Sequence, residues 1–486
     1  MCSDSLQGTV WDQFRQRDLK AFARFLPPRV IAQAAARAGV AVGRGALHAG
    51  NLVWLALSSA LHPAKNFADV LGLVLKLLQD SPTWSNSELA GRQRRGRRQA
   101  RKGKRHKHDP RGHDPTRLSE EAFVQARRKL PWSFWVALLL CLTDTFEQQH
   151  GDRVRWKKFR LLALDGTTIK LDNWPRLTDH FGSARNGRGR GRTQARMVML
   201  QYPLVRVPWR YELTPLAEGE RTVAGRLLAG LRADDLVLMD RGFWSYGAFW
   251  QIQNQQAFFA IRKVAQVKWR RVRRLDRGDY LVRWRPRDQK KKWKDLPPSM
   301  LLRYIPYQLS GFRPSGVVTN LLDAQAVSRE EWVRLATVDD AGRVVEPGLY
   351  HRRWEIETTF RELKVTQGLE GGLRCRTPEG IRYEVAGHVL LYLLVRWLIV
   401  EAADEAGVDD PLRLSFKGAL AELADMRQSL LLAPQAFVRH VLLPRLLERI
   451  ASHRVPYRPG RHFARPRDTQ AKYKGKGRYQ KASKVA

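Results

Sequence analysis

Between residues 159 and 264, short and nearly unbroken apolar runs alternate with helical spacing, and this alternation constrains the fold more than any other feature. FRLLALDGTTIKL (159–171) reads as an apolar strand ending in a turn. QARMVMLQYPL (194–204) and RYELTPLAE (210–218) read as two more strands. ERTVAGRLLAGL (220–231) is spaced as a helix, DLVLMDRGF (235–243) is another buried strand, SYGAFWQIQNQ is a helix and AFFAIRKV (257–264) is a fifth strand. The predicted class is α/β.

The regions on either side differ in texture. Residues 1–88 read as helical: FADVLGLVLKLLQD (67–80) has a broad apolar face, and Pro27 and Pro28 break the chain ahead of VIAQAAARAG. GRQRRGRRQARKGKRHKHDPR (91–111) has no periodicity and one acid, which predicts a mobile basic arm. Helical signal resumes over 118–146, with Ser119 placed as an N-cap and Pro131 as a break. From 265 to 345, basic and apolar residues alternate (QVKWRRVRRL, DYLVRWRPR), predicting a β-rich insertion with a cationic face. A long apolar helix (380–402), further helices over 411–450 and a basic, disordered tail complete the chain.

A formal net charge of +40 points to a polyanionic partner, nucleic acid before a membrane surface. With 43% apolar residues and 16 Trp, the chain is not a disordered polyelectrolyte. The run VLLYLLVRWLIV (389–400) is too short to span a bilayer and carries Arg396, so it reads as a buried helix. The N-terminus lacks the order of a signal peptide. Cys2, Cys141 and Cys375 are odd in number and far apart, which indicates neither a disulfide framework nor a zinc site. A reducing cytoplasm is the expected setting.

Two carboxylates follow apolar runs: Asp165 after LLAL and Asp240 after LVLM. Sites in open α/β sheets gather beyond the carboxyl ends of strands, so these two are placed to converge; the plainer role of each is a turn former or helix cap. A third carboxylate comes from YHRRWEIETTFRELK (350–364). On a straight helix Tyr350, Arg353, Glu357 and Lys364 fall within a sector of roughly 60°. Glu355 and Glu362 lie elsewhere on the wheel and are predicted to be replaceable, while Ile356, Phe360 and Leu363 form an apolar docking stripe. Asp165, Asp240 and Glu357 would together suit a pair of divalent ions for phosphoryl transfer, with Arg353 and Lys364 holding flanking phosphates. The competing role for Glu357 is a set of surface salt bridges with Arg353, Arg361 and Lys364.

The spacing of Tyr350, Arg353, Glu357 and Lys364, together with LALDGTTI and LVLMDRGF, resembles the Y-R-E-K signature and aspartate motifs of DDE transposases of the insertion-sequence-four family. The likeness covers approximately 118–402. It implies a ribonuclease-H-like catalytic domain, which the order of strands and helices also matches. The expected division is a helical DNA-binding region (1–150, with a basic linker at 90–116), the catalytic domain (158–264 plus 346–402), the insertion (265–345), a helical region (403–451) and a basic tail (452–486). The resemblance makes Asp165, Asp240 and Glu357 the catalytic ligands of two Mg²⁺ ions, for which Mn²⁺ can substitute. It gives Tyr350, Arg353 and Lys364 contacts to DNA phosphates, and leaves Arg241 and Arg361 as accessory candidates. Some relatives flip a base onto an aromatic residue; Trp269, Trp284 and Trp293 are candidate platforms here, with core packing the plainer role of each. The implied function is cut-and-paste transposition of double-stranded DNA by a homodimer, with no membrane partner. The alternatives are an inactive, transposase-derived DNA-binding protein and a host nuclease of the same fold.

Overall fold

The computed structural model describes residues 20–43, 48–63, 120–186, 189–276, 278–287, 294–308, 314–334, 337–338, 344–345 and 347–456. The predicted helix at 67–80, the basic linker, the Ser119 cap, Trp293 and nearly all of the tail lie outside them.

Proline sets the first boundaries. Pro27 caps α1 (Pro28–Arg37) in an extended conformation, and Pro131 separates α3 (Glu120–Arg128) from α4 (Trp132–Gln149). Between these helices α2 (Ala49–Leu61) is buried along nearly its whole length.

The strands are β1 (Arg155–Trp156), β2 (Phe159–Lys170), β3 (Ser183–Asn186), β4 (Gly189–Tyr202), β5 (Val207–Pro215), β6 (Asp235–Met239) and β7 (Phe258–Arg262), followed by β8 (Arg270–Asp276), β9 (Asp279–Trp284), β10 (Met300–Tyr307) and β11 (Ser315–Thr319). All belong to one 11-stranded sheet with the path β3-β4-β2-β6-β7-β11-β10-β9-β8; β5 pairs with β4, and β1 with β2. β2, β6 and β7 are parallel, whereas β4 and β5 are antiparallel additions. Helices α5 (Pro175–Phe181), α6 (Glu220–Leu228) and α7 (Tyr246–Asn254) fill the connections.

Two predictions about the sheet are corrected. β2 does not turn at Asp165: it continues to Lys170 because β4 pairs with it throughout 163–170, and Thr167, Thr168 and Ile169 favour extended backbone. The stretch 270–319 is β-rich as predicted, yet it extends the central sheet, since β11 pairs with β7. Arg303, fully buried, holds this part together by gripping Asp279 (Nε–Oδ2 3.0 Å) and donating to the carbonyls of Asp323 and Val327.

Both faces of the sheet are covered. Leu162, Leu164, Val237 and Met239 join a large core that also contains α2, α4 and the longest helix, while Phe159, Leu161, Leu236 and Leu238 meet Trp332 and Leu349 on the other side. Trp332 lies on α8 (Arg329–Val333), which is closed by a Ser328–Glu331 capping box.

The signature segment comprises a 3₁₀ stretch (Leu349–Trp354), α9 (Glu355–Arg361) and a π-turn (Glu362–Thr366). The uniform helix assumed from the sequence is therefore corrected to one wound first tightly and then loosely. Ile356, Phe360 and Leu363 are buried, as their spacing predicted.

Next comes α10 (Pro378–Glu405), five residues longer than predicted and opened by Thr377, whose side chain accepts from the Gly380 amide. By length and composition it could cross a membrane, but its most apolar window is 94% buried within the protein, as suits a core helix. α2 crosses it so closely that a Cβ at Gly387 would stand 2.6 Å from the carbonyl oxygen of Ala56. The chain ends in α11 (Phe416–Asp425), α12 (Arg427–Leu432) and α13 (Leu443–Ser452). Cys141 and Cys375 are buried free thiols.

Candidate active site

The site forms where parallel pairing stops. Leu164 and Met239 are the last partners between β2 and β6, so Asp165 and Asp240 leave neighbouring strands at the same level. Asp240 precedes a single helical turn (Arg241–Phe243), but its side chain makes no capping bond, which removes the plainest alternative for it. The carboxylate of Asp165 accepts the Gly166 amide at 2.8 Å.

Glu357 reaches the pair through Arg353. The guanidinium, 4% exposed, donates to Asp165 Oδ2 (3.4 Å) and to Glu357 Oε1 (2.9 Å). Arg262 approaches Asp240 from β7 (3.5 Å). Burial pushes the Asp165 carboxyl up to about 6; the Gly166 amide and Arg353 oppose the rise, while Glu357 and Asp240 add to it. Three hard oxygen donors crowding their own charge have the donor chemistry that Mg²⁺ prefers. Among the described residues, no three His, Cys, Asp or Glu side chains are grouped tightly enough to hold one ion as they stand. The Arg353 guanidinium lies between two of these carboxylates.

Tyr350 and Lys364, the other signature residues expected to contact DNA phosphates, make hydrogen bonds within the protein. The Tyr350 hydroxyl donates to the Met239 carbonyl (2.9 Å) and accepts the Arg262 amide (3.1 Å). Lys364 Nζ donates to Thr167 Oγ1 (2.7 Å) and the Thr168 carbonyl (2.5 Å), and stands 3.5 Å from Glu370. Arg241 and Arg361 are exposed, and neither forms an ion pair among the described residues. It is Arg221 that touches the turn after Asp240, donating to the Gly242 carbonyl at 2.8 Å. Of the predicted surface salt bridges of Glu357, the structure has the one to Arg353.

The dispensability expected of Glu355 and Glu362 is corrected. Glu362 accepts from Tyr392 (2.7 Å), Arg206 (3.0 Å) and the fully buried Arg396, and Glu355 accepts from Arg206 (2.7 Å). Partners so far away in sequence leave no local signal. The aromatic candidates also change. Trp284 is 6% exposed and packs edge-on against Trp244 and Tyr246; Trp269 is half-buried against Tyr304. Next to Arg353 stands the indole of Trp354, 43% exposed, with the Arg353 guanidinium 4.7 Å from its ring centre. The sequence marks it only as a neighbour of Arg353.

Comparison with known proteins follows the same line. The family model for the transposase DDE domain matches residues 156–394. Transposase InsG for insertion sequence element IS4, from Escherichia coli strain K12, is 25% identical over 381 residues, spanning 73% of this chain and 80% of that protein. A chain from the cryo-EM structure of the piggyBac transposase synaptic complex with hairpin DNA aligns over 94% of this chain and 89% of its own, at 10% identity. Its TM-score of 0.34 is too low to carry any argument.

Proposed function

We propose that the chain is a DDE transposase of the IS4 type, an enzyme of insertion-sequence transposition, and that Asp165, Asp240 and Glu357 form the centre that cuts the element's ends and joins them to target DNA. The observation that carries this reading is the Leu164–Met239 register, which sets Asp165 beside Asp240, with Arg353 tying Asp165 to Glu357. The order β5-β4-β2-β6-β7, with its last three strands parallel, supports a ribonuclease-H-like core.

The three carboxylates would hold divalent cations, Mg²⁺ by preference, which when bound supply an activated attacking oxygen and a stabilised leaving oxygen. In the first step a water oxygen bonds to the phosphorus at the element's end, the bond to the 3′ oxygen breaks and a 3′-hydroxyl is released. In the second, that hydroxyl attacks a phosphodiester of the target and displaces another 3′ oxygen. The chain contributes position and charge rather than covalent chemistry. The cationic β8–β9 ribbon and the basic linker and tail supply salt-sensitive backbone binding, and the N-terminal helices read the terminal inverted repeats. Bringing two ends together calls for a homodimer.

The test is cleavage of linear DNA carrying the element's ends. Cutting at the end, dependence on Mg²⁺ or Mn²⁺, and loss with EDTA are expected; equal cutting of scrambled DNA would sink the reading.

Trp354 is the stacking platform this geometry offers to a base at the cut. Stacking contributes roughly 1–3 kcal/mol per base, so Trp354→Ala is expected to weaken end-DNA binding by about 5- to 150-fold at unchanged melting temperature. Fluorescence of 2-aminopurine at the terminal position reports the contact. An unchanged signal in the variant removes Trp354 from this role.

A further inference from the structure

We propose that Glu220 and Arg221, the first two residues of α6, are positioning residues that set Asp165 and Asp240 against each other. The inference rests on the reading of those two aspartates as cation-holding groups.

Each aspartate is followed by backbone that the sheet holds weakly. Beyond Leu164, β2 keeps β4 on one edge and has no β6 partner on the other. Beyond Met239, the chain leaves β6 for the single turn Arg241–Phe243, which has no side-chain cap. Glycine at 166 and at 242 adds backbone freedom beside both carboxylates.

Consecutive residues of α6 meet these two glycines. Glu220 lies on the bare face of Gly166: a Cβ there would stand 2.3 Å from its Oε1 and 2.9 Å from its Cγ. Arg196 of β4 holds the Glu220 carboxylate at 3.3 Å and donates to the Leu216 carbonyl at 3.1 Å. Arg221 donates through Nε to the Gly242 carbonyl at 2.8 Å. The helix behind them is itself fixed. Val223, Ala224, Leu227 and Leu228 are buried, Arg226 pairs with Glu212 of β5 at 2.6 Å, and Gln251 of α7 donates to the Gly225 carbonyl at 2.9 Å. Gly166 also gives its amide to Asp165, so its placement passes directly to that carboxylate. One helix therefore braces the backbone after both aspartates, and a cation site needs its ligands held to within about 0.5 Å.

The experiment uses the full chain with end-containing duplex DNA. The Mg²⁺ concentration giving half-maximal cleavage is read beside the Kd for DNA in EDTA, its salt slope and the Tm. Arg221→Met and Glu220→Ala are expected to raise the Mg²⁺ midpoint by about 10- to 100-fold, with Kd and slope unchanged. Rescue separates position from charge. Gln places an amide nitrogen as many bonds from the backbone as the Nε of Arg, so Arg221→Gln should stay near the native midpoint while Arg221→Lys should not. Glu220→Gln keeps the shape that covers Gly166 and should also stay near native. The reverse order at position 221, with weaker binding and a salt slope shallower by about 1, would make Arg221 a phosphate contact and overturn the proposal. Glu220→Gln as impaired as Glu220→Ala overturns it too, because charge and not shape would then be what counts. So does an unmoved Mg²⁺ midpoint in Arg221→Met and Glu220→Ala, whether cleavage is kept or falls with a lower Tm. Undiminished cleavage by Asp165→Ala would instead remove the carboxylate reading on which the inference stands.

Discussion

Asp165→Asn is expected to abolish end cleavage and, in the same molecule, to raise the melting temperature of the metal-free protein at neutral pH. The carboxylate is partly buried, and desolvation together with Glu357 and Asp240 outweighs what the Gly166 amide and Arg353 return. Its folded pKa of about 6 lies above the ordinary carboxylate value, so the folded state favours the protonated group. The sign follows from linkage: that contribution to stability is complete at acid pH and is lost as pH rises through about 6. Asn keeps the size of the side chain and can still accept the Gly166 amide, but carries no charge. Its advantage in Tm should therefore be largest above pH 6 and vanish in acid. Mg²⁺ should raise the Tm of the native chain and leave the variant nearly unmoved. Losing a group that serves charge stabilisation of several kcal/mol corresponds to about 10³-fold or more in rate, and Asp240→Asn and Glu357→Gln should lose as much. Calorimetry with and without Mg²⁺, beside an end-cleavage time course, measures both effects. Native-like cleavage by Asp165→Asn would mean that the strand carboxylates are not the centre.

This trade of stability for a crowded site also explains which parts of the protein can be read from the chain. Period and run length report burial, so the apolar runs that precede Asp165 and Asp240 and the buried run around Arg396 are visible in the residues themselves. Pairing between distant strands has no such local trace. Nothing in PSGVVTNLL indicates that Val317 lies opposite Arg262, the contact that merges the insertion with the central sheet. Winding is equally hidden: a wheel drawn at constant pitch groups Tyr350, Arg353, Glu357 and Lys364, and the folded segment groups them through three different pitches. The wheel also misjudges its outliers. Glu362 looks like a spare surface carboxylate until Arg206 and Arg396 come to meet it from a hairpin turn and from α10. Roles set by partners far away in sequence become legible only in three dimensions.

Glu362→Ala is the substitution expected to cost the most stability. The carboxylate accepts from Tyr392, Arg206 and Arg396, and Arg396 is 0% exposed in the middle of α10. Burial pushes the Glu362 carboxyl up, but Arg396 and Arg206 outweigh it and hold it below the ordinary carboxylate value. Its contribution is thus present above the unfolded carboxylate pKa and is lost in acid, as pH falls through the lower folded value. Removing the acid strands a buried guanidinium, at a cost of about 3–5 kcal/mol, a large share of the roughly 5–15 kcal/mol that keeps a domain folded. The penalty belongs mainly to the stranded charge. Arg396→Met alone should cost less, because Glu362 keeps Arg206 as a charged partner. The double variant Glu362→Ala with Arg396→Met should be more stable than the sum of its single changes requires, the coupling expected when both members of a buried pair are removed together. Glu355→Ala, which breaks only the contact with Arg206, should be the mildest. Urea unfolding of these four variants orders them. If Glu362→Ala unfolded no earlier than Glu355→Ala, the buried pair would not be what anchors the segment bearing Glu357, and its position would have to come from the apolar stripe of Ile356, Phe360 and Leu363 alone.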